Sequence, residues 1–179
     1  GADYAMLRCG YRSYGEGILT EDTSFNTNAA EAIKNNIKIG AYFFSQAINT
    51  TEAREEADYV INMVKPYQIN GPIAIDIEEI FDDTYRQMHL TPAQLTDVII
   101  TFCDRIKEAG YTPMIYSNLS SFIGNVELER LENYEKWFAY YSDEPYFPYE
   151  ISMWQYTDSG VIDGISGNVD LNISFKEWK

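Results

Sequence analysis

Apolar strands alternate with amphipathic helices along the first two thirds of this chain, and that alternation leaves few folds open to it. Tyr4 to Cys9 reads as a short apolar strand, Ala29 to Asn36 as the end of a helix, and Lys38 to Phe44 as a second strand. From Thr51 to Lys65 the apolar residues Ala53, Ala57, Val60, Ile61 and Val64 fall on one helical face. Asn49 can cap that helix, with Glu52 three positions on. Pro72 to Glu79 is the third strand. The most sharply bounded helix follows, with Thr91 as N-cap, Pro92 at its first position, Gln94 at its third and Gly110 just past its end. Leu95, Val98, Ile99, Phe102 and Ile106 form its apolar stripe, and Thr112 to Ser117 is a further strand. Strand and helix repeating in units of roughly 35 residues is the grammar of a parallel sheet with right-handed crossovers.

After Asn118 the grammar changes. Trp137 to Tyr141, Ile151 to Tyr156 and Val161 to Asp163 read as strands separated by short loops, so few helices are expected in the C-terminal part. Nothing resembles a linker or a low-complexity run, and residues 1–179 are expected to form a single domain. The fold class is α/β: a shortened TIM-like β/α barrel with mostly parallel strands, shorter than the ~250 residues of a complete eight-unit barrel. Chemistry in such a barrel sits at the carboxyl ends of the strands.

The third strand, Pro72-Ile73-Ala74-Ile75-Asp76-Ile77-Glu78-Glu79, carries acids at such an end. Side chains on a strand alternate, so Asp76 and Glu78 point together while Ile73, Ile75 and Ile77 point the other way. Two acids held close in a sheltered place have their pKa values driven apart, so one ionises while the other keeps its proton near neutral pH. Enzymes that cleave glycosidic bonds are equipped in this way, although a strand end whose acids face water has the same pattern.

Composition excludes several other functions. A net charge of -15 argues against nucleic acid and against anionic membrane surfaces, both of which are bound chiefly through Lys and Arg. No apolar run approaches the ~20 residues of a membrane-spanning helix, and no stretch resembles an amino-terminal signal peptide. Cys9 and Cys103 lie in apolar stretches and read as buried thiols, with a disulfide between them as the alternative. The single histidine, His89, precedes a helix start and reads as a loop residue. Zinc sites and a Ser-His-Asp triad have almost nothing to draw on, so neither metal nor cofactor is expected.

Aromatic residues crowd the segment from Trp137 to Tyr156, including Trp137, Phe138, Tyr140, Tyr141, Trp154 and Tyr156. Flat rings with polar handles suit the faces and hydroxyl rims of sugars, while most rings in such a run serve the core. A third acid, Asp170, lies in Gly167-Asn168-Val169-Asp170-Leu171-Asn172, where an aspartate among Gly and Asn is usually turn chemistry.

Six segments in order, GAYFFS at Gly40, AIDIEE at Ala74, MIYSN at Met114, WFAYY at Trp137, MWQYTDSG at Met153 and GNVDLN at Gly167, resemble glycoside hydrolase family 25, the lysozyme-type N-acetylmuramidases of bacteria and phages. The resemblance implies a shortened β/α barrel that cleaves the β-1,4 bond between N-acetylmuramic acid and N-acetylglucosamine in peptidoglycan. It implies peptidoglycan glycan strands as the partner and an extracellular or cell-wall location, with which an exported precursor that has lost its signal is compatible. Carried over by position, Glu78 matches the general acid/base and Asp76 its D-x-E partner, which orients or stabilises the substrate's acetamido group. Asp170 matches the acid of the closing VDLN motif. Tyr42 and Tyr116 match aromatic positions near the cleaved sugar, Trp154 and Gln155 belong to the WQY signature, and Tyr141 of the WFAYY segment is a further substrate-binding candidate. Phe43 stands where many relatives have histidine.

The resemblance also has a gap. Family members open with a strand resembling G-I-D-V-S, whose aspartate lies on the cleft floor, whereas this chain begins at what looks like the next strand. A non-catalytic glycan-binding module, or a hydrolase of another acetamido-sugar polymer such as chitin, therefore stands as the alternative.

Overall fold

The computed structural model describes residues 2–80 and 82–178. Its strands are β1 (Tyr4–Arg12), β2 (Leu19–Glu21), β3 (Lys38–Phe44), β4 (Ile73–Asp76), β5 (Pro113–Asn118), β6 (Glu135–Ala139), β7 (Met153–Gly160) and β8 (Val169–Ser174). The helices are α1 (Phe25–Lys34), α2 (Thr50–Val64), α3 (Pro92–Glu108) and the short α4 (Leu119–Gly124), with a 3-10 turn at Leu128–Leu131. All eight strands form one curled sheet in the order β2-β1-β3-β4-β5-β6-β7-β8. From β1 through β7 the neighbours run parallel, while β2 and β8 lie antiparallel at the two edges. The expected shortened, mostly parallel barrel with few C-terminal helices is formed, as a half-barrel.

Alternation along the strands divides the apolar residues between two layers. Ile39, Ala41, Phe43, Ile73, Ile75, Ile77 and Ile115 face outward and pack with Ala53, Ala57, Val60 and Val64 of α2 and with Leu95, Val98, Ile99, Phe102 and Ile106 of α3. Inside the curl lies a smaller cluster of Ala74, Met114, Trp137, Met153 and Trp178, bordered by Tyr4, Met6, Tyr42 and Tyr116. Trp178 seals the floor, its ring centroid 4.2 Å from that of Tyr4. A methyl group on Gly71 would come within 2.5 Å of the Trp178 ring, so only glycine admits the indole there.

Helix ends follow the side-chain chemistry. Thr91 and Gln94 form a reciprocal capping box with Pro92 behind it, and α3 closes at Gly110, whose φ of 89° favours glycine. Asn49 accepts from the Glu52 amide as expected. The Glu52 carboxylate instead accepts from the Ile48 amide and from Arg86, so this box is not reciprocal.

Three expectations are corrected. The acid-bearing strand ends at Asp76 rather than running to Glu79, because its ladder to β5 closes after Ile77 N donates to Tyr116 O. Val161 to Asp163 is loop, since β7 continues to Gly160 and the chain must then turn back. The Asp170 segment is not turn chemistry but the antiparallel edge strand β8.

Two hydrogen-bonded connections shape the rim above the strands. Arg12, buried at the end of β1, donates from Nε to Glu56 Oε1 at 2.8 Å and from Nη1 to Gly17 O at 2.8 Å. Ser45 Oγ donates to the other oxygen of Glu56 at 2.6 Å. Arg86, in the segment beyond Glu78, binds the Glu52 carboxylate through both terminal nitrogens at 2.7 and 2.9 Å and reaches Gln46 O at 2.8 Å. Through these bonds α2 holds the β1–β2 turn, the β3–α2 loop and the 82–90 segment in one arrangement.

Candidate active site

Asp76 is the last residue of β4, with β3 and β5 hydrogen-bonded on either side. Its side chain points into the curl, as Ala74 does two residues earlier, and only 4% of Asp76 is exposed. Glu78 lies beyond the strand end on the same side, half-buried and open to the cleft. The two carboxyl groups are hydrogen-bonded to each other, and both are held above the ordinary carboxylate range. Burial is the main cause for Asp76, followed by the charge of Glu78 and the bond between them. For Glu78 burial again leads, opposed by the bond to Asp76 and reinforced by the charge of Asp170. Asp76 Oδ1 has no hydrogen-bond partner among the described residues. A pair that shares a proton in this way titrates as a unit.

Asp170 stands on β8, on the same face as Asn172, which accepts from Trp137 Nε1 at 2.8 Å. Burial, and then the neighbouring charge of Asp158, raises the Asp170 carboxyl above its ordinary value. The three acids thus face one space from β4 and from the far edge of the sheet. Tyr116 and Tyr141 donate to the two sides of one acceptor, Gln155 Oε1, at 2.9 and 2.8 Å, so three residues expected at the site form a single bridge. Tyr42 packs edge-on against Trp137, and burial, with the charge of Asp76, pushes its hydroxyl up to about 12. Beside Glu78 a cavity of about 440 Å³ opens between β5 and β6, with Tyr116, Asn118, Ser120, Tyr140 and Tyr141 in its walls.

Trp154 is not brought into the cleft with the others. It follows Met153 on β7 and faces away from Gln155, 8% exposed, with Nε1 donating to Tyr140 O at 2.7 Å. Phe43 also faces away, fully buried against the helices and edge-on to Tyr59. His89 is exposed in the turn before α3, and Cys9 and Cys103 are buried free thiols. Among the described residues no group of three or more His, Cys, Asp or Glu gathers to hold a metal ion. No described helix is long and apolar enough to cross a membrane.

Sequence reading misses Arg8 and Asp22 on the opposite wall. Arg8 Nε donates to Asp22 Oδ2 at 2.7 Å, and its charge acts on both Tyr42 and Asp76. The signal is present: Tyr4, Met6 and Arg8 are alternate residues of one strand, so a cation follows two residues that face the curl.

A curled parallel sheet with a hydrogen-bonded carboxyl pair at its carboxyl end is the arrangement of a β/α-barrel glycosidase. The family model of the glycosyl hydrolases family 25 matches residues 10–165, and the chain belongs to that family. It is 26% identical over 158 residues to an autolytic lysozyme of Clostridium acetobutylicum, covering 88% of this chain and 45% of that protein. It is 27% identical over 163 residues to the uncharacterised protein YegX of Escherichia coli strain K12, covering 88% of this chain and 56% of the other. The chain thus spans about half the length of these curated relatives. Among solved structures, the modular autolysin LytC of Streptococcus pneumoniae superimposes with a TM-score of 0.82 at 27% identity, over 95% of this chain and 40% of that one. LytC has also been crystallised with a synthetic peptidoglycan ligand. A bacterial lysozyme from Streptomyces coelicolor shares the fold with a TM-score of 0.79 at 22% identity, over 98% of this chain and 82% of that one.

Proposed function

We propose that the protein hydrolyses the β-1,4 bond between N-acetylmuramic acid and N-acetylglucosamine in peptidoglycan, acting outside the cell at the wall. The carrying observation is the hydrogen-bonded Asp76–Glu78 pair, sealed on the Asp76 side and open to the cleft on the Glu78 side. Family membership, together with the likeness to an autolytic lysozyme, supports the substrate class.

In this reading Glu78 delivers the proton the pair shares to the glycosidic oxygen as the bond to the leaving sugar breaks. Water adds to the anomeric carbon and returns a proton to the pair. While positive charge lies on the sugar ring, both carboxylates are charged and stabilise it. Burial makes this interaction stronger than it would be in water. Asp170 adds negative charge from the facing strand, and the Tyr116–Gln155–Tyr141 bridge fixes the wall against which the sugar lies.

Reducing ends released from purified peptidoglycan, with mass spectrometry of the fragments, test the proposal. New reducing ends on N-acetylmuramic acid support it; N-acetylglucosamine ends would contradict it.

The titration of the pair predicts a bell-shaped profile of kcat/KM against pH. Its alkaline limb lies above the ordinary carboxylate range, because activity is lost as pH rises through the raised value and the shared proton leaves. Asp170→Asn removes a charge that raises Glu78, so it moves that limb to lower pH. An unmoved limb in that variant would contradict the arrangement.

A further inference from the structure

We propose that Arg8 forms an anion subsite in the cleft, taking a carboxylate carried by the glycan through its free terminal nitrogens. This rests on the glycan-cleaving reading and adds to it the feature of the substrate that is recognised.

Arg8 follows Tyr4 and Met6 on the inner face of β1 and lies in register with Tyr42. At the backbone it is two strands from β4, about 10 Å across the sheet, where a substituent neighbouring the reacting sugar would fall. Its guanidinium is held but not consumed. Nε donates to Asp22, while Nη1 and Nη2 have no hydrogen-bond partner among the described residues. Asp22 is itself fixed, accepting at Oδ1 from the Ser24 amide at 2.9 Å and donating its own amide to Cys9 O at 3.1 Å. The Arg8 side chain is 48% exposed and lies over the Tyr11 ring at 5.8 Å. One edge of a planar fork is thus pinned and the other presented to the cleft, the geometry in which arginine binds a carboxylate through two parallel bonds.

Charge singles out the same place. Asp22, Asp76, Glu78, Asp158 and Asp170 all bear on this space, and the chain as a whole carries -15. Among the charges that act on Asp76 and Tyr42, Arg8 is the one cation. Arg8 is thus the attractive charge that an anionic sugar meets among these carboxylates. Two alternative sources supply such a group in peptidoglycan: the lactyl carboxylate of a muramic sugar that bears no peptide, and, where a peptide is joined to that carboxyl as an amide, the peptide's own carboxylates.

The test measures binding to the Glu78→Gln protein by calorimetry, with three ligands. They are glycan stripped of peptide with free lactyl carboxylates, the same glycan with those carboxylates converted to methylamides, and glycan bearing its peptides. The free-carboxylate glycan should bind about tenfold more tightly than its amidated form, as a charge-assisted bond lost from a half-exposed site implies. Arg8→Gln in the Glu78→Gln background should erase that difference, and Arg8→Lys, which keeps the charge and the partner Asp22, should keep part of it. If dependence on Arg8 instead appears with the peptide-bearing glycan alone, the peptide carboxylates are the source. An equal affinity loss for all three ligands on Arg8→Gln, no loss for any, or no glycan binding at all overturns the subsite. Cleavage by the unaltered protein judges the hydrolase reading separately, since a cleaving enzyme that binds all three glycans alike refutes the subsite alone.

Discussion

Glu78→Gln should lower glycan release by roughly 10²–10⁴-fold, the range for loss of a general acid, while binding of the glycan persists. The amide keeps the shape of the side chain and can still hydrogen-bond Asp76, but it has no proton to transfer. Asp76→Asn should also slow cleavage, because the buried partner no longer offsets the positive charge developing on the sugar. The two variants differ in what they leave behind: in Asp76→Asn the proton donor remains and titrates alone, so its pH profile loses the behaviour of a coupled pair. Release measured side by side decides the matter, and equal rates for Glu78→Gln and the unaltered chain would refute the catalytic role. A binding module would then be the better reading.

Arg12→Met should destabilise the protein by about 3–5 kcal/mol, because breaking a buried ion pair leaves one charge uncompensated. Glu56, fully buried and bonded to Arg12 and Ser45, would be that charge. Burial already pushes its carboxyl up to about 7 against the ordinary 4.5, in spite of both partners. The folded state therefore holds a proton that the unfolded state has released. Stability from this group is complete below about 4.5 and is lost as pH rises through about 7. Without Arg12 the folded value rises further, so the penalty should be larger at pH 8 than at pH 5. Denaturant unfolding at the two pH values measures it, with Arg12→Met/Glu56→Leu as the companion that removes both charges and recovers much of the loss. A single-variant penalty below 1 kcal/mol, or one independent of pH, would contradict this account. The same network holds the 82–90 segment beside the site, so activity should fall with stability.

Local chemistry made α3 and β3 legible. Thr91, Pro92, Gln94 and Gly110 each act within their own turn, so the bounds of α3 follow from four residues, and the stripe from Leu95 to Ile106 is the buried face. Lys38–Phe44 carries an uninterrupted strand signal and has the expected bounds. The facing of Asp76 into the curl is legible because alternation is a local rule. The end of β4 is not legible, since it depends on where β5 ceases to offer partners. β8 escaped for a similar reason: Gly167 and Asn168 read as turn, and only pairing with β7 makes Val169 to Ser174 a strand. At the site, the acids and tyrosines were readable as motifs, whereas the cavity beside Glu78 and the Arg8–Asp22 wall depend on the curl of the whole sheet. Trp154 shows the converse, a signature residue that the pleat turns away from the space its neighbour Gln155 faces.

The two thiols described above give the molecule a pair of internal clocks. Cys9 lies near one edge of the sheet and Cys103 in the helix that covers its middle, and both are completely buried. Burial pushes the Cys9 thiol up to about 12 and raises Cys103 as well, so neither is a thiolate in the closed molecule at neutral pH. A thiol reagent can reach either one only while its surroundings are open, and the rate of labelling then reads how often that happens. With no other cysteine in the sequence, each single Cys→Ala variant leaves one reporter. Comparing the two rates would show whether the edge of the sheet breathes apart from its centre, and whether a bound glycan quiets one motion or both.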